Sequence, residues 1–87
     1  MTNEEKFNEL KPKLRELGWV IGYDAKQNRY SLVKVPLGPN WGNYFHYFPM
    51  GDRVEYRSKK NTGSIISVEN GLEYIKNKIS EYEKQNN

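Results

Sequence analysis

The chain has a single histidine, His46, and it is the only side chain whose ordinary pKa lies near neutrality. Proton-transfer chemistry, or activation of a nucleophile, would have to run through it. Its surroundings, Tyr44-Phe45-His46-Tyr47-Phe48, supply neither a partner carboxylate nor a second histidine at metal-ligand spacing. There is no cysteine, no serine in a nucleophile elbow and no glycine-rich phosphate loop with its lysine. Aspartate occurs only at positions 24 and 52. The sequence therefore reads as non-enzymatic, with no cofactor and no metal. Two carboxylates meeting in space are the one catalytic arrangement it leaves open.

Binding chemistry is better represented. Arg53 and Arg57 flank Glu55 in an alternating run, so that two forked donors share one face and suit phosphates or carboxylates. The plainer alternative is a solvated stripe of weak ion pairs. Lys59 and Lys60 lie in a loop with Asn61, Thr62, Gly63 and Ser64, which fits either an anion site or an ordinary wet turn. Trp41 stands between Gly38 and Gly42, as a lid over the core or as an exposed anchor. Tyr44, His46 and Phe48 alternate with Phe45 and Tyr47, and one set must be core. The other could stack on bases or hold a protein partner. The sequence does not say which set is which.

These residues must be positioned by a small number of elements. Phe7, Leu10, Leu14 and Leu17 are spaced 3, 4 and 3, one face of a helix. Thr2 and Glu5 can form its capping box, and Gly18 suits its C-terminal end. Pro12 predicts a kink or break near Lys11. Two strands then pair as a hairpin, Trp19 to Tyr23 and Arg29 to Val35, around a polar turn at 24–28. Proline and glycine punctuate 36–43 as a loop. Strands follow at 44–48 and 53–57 across a Pro49-Met50-Gly51-Asp52 turn, and 64–66 reads as a short fifth strand or an extended lead-in. Val68, Leu72, Ile75, Ile79 and Tyr82 form the stripe of a last helix, with Ser67 as its expected N-cap.

The expected fold is α+β, a single domain over 1–87: an antiparallel sheet of three to five strands, with an N-terminal and a C-terminal helix packed on one face. This order resembles small α-β-β-β-α modules, double-stranded-RNA-binding domains among them. The last helix lacks the lysine-rich start and alanine-rich body of those domains, so the likeness is of order alone and licenses no function.

With 87 residues and 36% hydrophobic content the core is thin, and the 14% of aromatic residues must supply much of it. The polar, acidic N-terminus is no signal peptide, and no apolar run approaches a membrane span, so a cytoplasmic location without membrane contact is expected. The net charge of +3 is uneven: residues 18–66 hold seven Lys or Arg against three acids, and the flanks are neutral or acidic. The expected partner is accordingly nucleic acid or an acidic protein surface, with the chain a monomer or homodimer. Nucleic-acid binding through Tyr44, His46, Arg53, Arg57, Lys59 and Lys60 is the first expectation. A protein-binding inhibitor or adaptor anchored by Trp41 and the aromatics of Tyr44–Phe48 is the second, and a small enzyme the third.

Overall fold

The computed structural model of the protein describes residues 1–34, 44–57 and 64–85. Trp41, Lys59 and Lys60 lie outside the described residues, as do the loops that contain them. Helix α1 (Asn3–Glu16) is followed by β1 (Trp19–Asp24), β2 (Arg29–Lys34), β3 (Tyr44–Phe48), a single 3₁₀ turn (Pro49–Gly51), β4 (Arg53–Arg57), β5 (Ile65–Glu69) and α2 (Gly71–Gln85). The five strands form one antiparallel sheet in chain order, β1-β2-β3-β4-β5. The α+β class and the element order agree with the expectation from sequence.

α1 begins as its residues dictate. The Thr2 hydroxyl accepts from Glu5 N at 3.1 Å, and Glu5 Oε1 accepts from Thr2 N at 2.9 Å, a complete capping box. It ends at Gly18, whose φ of 96° falls in the left-handed region that glycine adopts without strain. Of the kink or break expected at Pro12, the break does not occur: α1 runs continuously through it. Pro12 is exposed, while Phe7 and Leu14, on either side of it, are fully buried. Burial of both anchors favours the helix on either side of the missing hydrogen bond.

Both helices cover the same face. From α1, the Phe7 ring meets Tyr30 and Tyr47 at centroid distances of 4.6 and 4.9 Å. From α2, Tyr74 packs edge-on against Phe45 at 5.3 Å and Tyr82 edge-on against Trp19 at 5.8 Å. Leu32, Val54, Leu72, Ile75 and Ile79 complete the core. Phe45 and Tyr47 are thus the inward set of β3, with no measurable exposure, and Tyr44, His46 and Phe48 face the other way.

The start of α2 corrects the sequence reading. Ser67 is not an N-cap; it lies in β5 opposite Glu55, and Val68 pairs with Val54. The helix begins four residues later, after Asn70, which adopts a φ of 57°. Its cap comes from the distant β3–β4 turn: Leu72 N donates to Asp52 Oδ1 at 2.9 Å and Gly71 N to the Asp52 carbonyl at 2.7 Å. Gly71 lies so close to Tyr47 that an added Cβ would sit 2.7 Å from its Cε1. Among the described residues, no helix is long and apolar enough to cross a membrane.

Candidate binding face

The face that the helices leave bare is organised as rows across the strands. The central row runs Gly22, Ser31, His46, Glu55, Ser67, each paired with the next. On one side Asp24 pairs with Arg29, and Phe48 with Arg53 and then Glu69. On the other, Val20 pairs with Val33 and Val33 in turn with Tyr44, and Arg57 pairs with Ile65. Side chains one strand apart on a face are close enough to interact directly.

The charges on this face are largely matched. Arg29 Nε lies 3.5 Å from Asp24 Oδ2, an ion pair without an aligned hydrogen bond. Arg53 Nη1 donates to Glu55 Oε2, and the Arg53 guanidinium also stacks over the Phe48 ring, 4.1 Å from its centroid. Asp24, Arg29, Arg53, Glu55, Arg57 and Glu69 together carry three positive and three negative charges, so these six side chains sum to zero.

His46 is half-buried in the middle of this arrangement, and the Tyr44 ring meets it edge-on at 5.3 Å. Burial lowers the imidazole pKa below its ordinary value, and the Arg29 charge lowers it further. Glu55 and Asp24 pull the other way without reversing the shift. His46 is therefore held neutral near pH 7, as a donor–acceptor ring rather than a cation. Around it lies a depression of about 180 Å³, lined by Arg29, Tyr44, His46, Glu55, Arg57 and Ile65. A second depression, of about 400 Å³, opens at the lower end of the face between Phe48, Arg53 and Met50, and Met50 is 88% exposed.

No protein-family model, no curated protein and no solved structure matches the chain. The face must be read from its own residues.

Tyr44, His46, Arg53 and Arg57, singled out from sequence, do share this face. Sequence reasoning missed Arg29 and Asp24, which flank the hairpin turn. Opposite charges at the two ends of a four-residue polar turn were the available signal, since hairpin closure sets those positions across from each other. It also missed Ile65, 62% exposed beside Arg57. Among the described residues, no three His, Asp or Glu side chains gather in a way that could hold a metal ion.

Proposed function

We propose that the protein is a non-enzymatic binding module whose open sheet face seats a partner protein, acting as an inhibitor or adaptor that occludes a larger surface. One observation carries this reading: the guanidinium groups of Arg29 and Arg53 are matched by Asp24 and Glu55 on the same face. A surface that tracks a nucleic-acid backbone depends on an excess of positive charge, each phosphate contact adding to salt-sensitive affinity. Protein interfaces are instead enriched in arginine and aromatic anchors, and this face presents both.

The side chains fit that role in detail. Arg53 is pre-oriented by Glu55 and Phe48, and Tyr44 by His46, so little rotamer freedom is lost on binding. The 180 Å³ depression between Tyr44 and Ile65 suits one side chain of a partner, and Met50 gives the second depression an adaptable apolar wall. The rival reading, nucleic-acid binding, draws on the +4 of residues 18–66, which includes Lys59 and Lys60.

A photo-crosslinking side chain placed at position 44 in the native host decides between them, with one at position 76 on the outer surface of α2 as control. The expected result is a protein adduct at 44 alone that persists after nuclease treatment. An adduct removed by nuclease would overturn the proposal, as would tight binding of the purified chain to duplex DNA with a log–log salt slope of about −3.

A further inference from the structure

β5 ends the sheet and is built unlike the other edge strand. Ile65 is 62% exposed on the open face and Ile66 37% exposed on the helix face. The helix layer stops short of it: Tyr74 of α2 rests on Phe45 of β3 and Tyr56 of β4, and no described residue covers Ile66 in the same way. β5 has no proline and no glycine, its single charge is the terminal Glu69, and three of its five residues are β-branched and apolar. Sheet edges in proteins that stay monomeric are usually blunted by charge, proline or a bulge. The opposite edge, β1, is interrupted by Gly22 and closed by Asp24.

We propose that β5 is a self-association strand: two copies pair antiparallel through β5 about a two-fold axis at Ser67, joining their sheets into one of ten strands. Ser67 is the midpoint of Ile65–Glu69, so this register engages the whole strand. It sets Ser67 against Ser67 of the second copy, Ile66 against Val68 and Ile65 against Glu69. No like charges face each other. The apolar pairs Ile66–Val68 fall on the helix face, where each copy leaves Ile66 exposed beside the half-buried Val68.

The charges favour a second copy over an unrelated strand. Within one chain Ile65 pairs with Arg57. Across the axis, Ile65 would face Glu69 of the second copy, so the row becomes Arg57, Ile65, Glu69. Two strand spacings of about 4.8 Å separate those two backbones, within reach of an arginine and a glutamate side chain. Symmetry repeats the pair. Among the described residues Glu69 has no ion-pair partner of its own. The axis runs perpendicular to the sheet, so both binding faces stay open on the same side.

The contact is small, so dimerisation is expected in the range of tens of micromolar. The absence of cysteine permits a direct test, because antiparallel strands hold facing Cα atoms about 4.5–5.5 Å apart, within disulfide range. Under mild oxidation Ser67→Cys is expected to convert mostly to a disulfide dimer, whereas Val20→Cys, also exposed and on the other edge strand β1, stays monomeric. Sedimentation of the unmodified chain from about 5 to about 500 µM should show a rise toward dimer mass that Ser67→Lys abolishes while keeping the same circular dichroism. A chain that stays monomeric throughout overturns the proposal and leaves β5 to a strand from another protein. So does crosslinking of Ser67→Cys no faster than Val20→Cys.

Discussion

The Tyr47 hydroxyl donates to Asp52 Oδ1 across 3.0 Å, and the same oxygen accepts from the backbone of Leu72. One carboxylate therefore fixes the inner ring of β3 and caps the last helix, tying the middle of the sheet to α2. Asp52 reaches both by adopting a left-handed φ of 46° in the β3–β4 turn. Burial, and then this hydrogen bond, push the Tyr47 pKa well above its ordinary value, so the ring stays a donor at every physiological pH.

Asp52→Ala should be among the most damaging single changes outside the apolar core. It removes a cap and strands a buried hydroxyl, together costing about 2–4 kcal/mol. Asp52→Asn keeps an acceptor and tolerates the left-handed conformation, and should cost about 1 kcal/mol. Urea denaturation of the two variants side by side checks the ranking.

Gly71→Ala should destabilise the fold by about 2–3 kcal/mol through overpacking. The new methyl would meet Tyr47 Cε1 at 2.7 Å and the Arg53 carbonyl carbon at 3.0 Å, the first belonging to a fully buried ring and the second to strand backbone. Gly71→Ala combined with Tyr47→Leu should recover part of the loss, which a double-mutant cycle would read directly.

Alkaline pH should weaken the protein in a defined window. Burial, and then the hydrogen bond to Glu4, push Tyr30 up to about 12, and burial pushes Tyr74 up to about 12. The unfolded chain releases these protons near pH 10, so the unfolded state binds fewer protons than the native state between about pH 10 and 12. Stability is then complete below pH 10 and falls as pH rises through 12. The urea midpoint should drop across that range, and Tyr30→Phe should flatten part of the drop.

His46 is the sole imidazole, and its NMR titration isolates one site. Its midpoint should lie below 6.5, because burial and Arg29 disfavour the cation. Arg29→Ala should raise the midpoint toward the ordinary value, and Glu55→Gln should lower it further. With the native pKa depressed, the stability due to neutral His46 is present above about pH 6.5 and is lost as pH falls through the native value.

Local signals were legible in the sequence, and signals that depend on distant partners were not. The capping box of Thr2 and Glu5 and the terminal Gly18 act within a few residues, and both stand where the sequence put them. The alternation of Tyr44 to Phe48 was equally plain, but its inward side is decided by Phe7 and Tyr74, which arrive from the two ends of the chain. Ser67 misled for the same reason. A serine before an apolar stripe is a good local cap, but Asp52 supplies the cap from across the sheet, which frees Ser67 and Val68 to extend the ladder. Pro12 carries a local penalty that burial of Phe7 and Leu14 outweighs. The neutral balance of the open face was hidden because Asp24 and Arg29 become neighbours only when the hairpin closes.

The strands lie side by side in the order in which they are translated. Each can find its neighbour as soon as it leaves the ribosome, with little loop entropy to overcome. The rings of Phe45 and Trp19, however, gain their cover from Tyr74 and Tyr82, which emerge after the whole sheet. A nascent chain would therefore carry a nearly finished sheet whose greasy side is covered by α1 alone for the time needed to synthesise α2. That interval is when the polypeptide would most need a chaperone, and when a pause in translation would do the most harm.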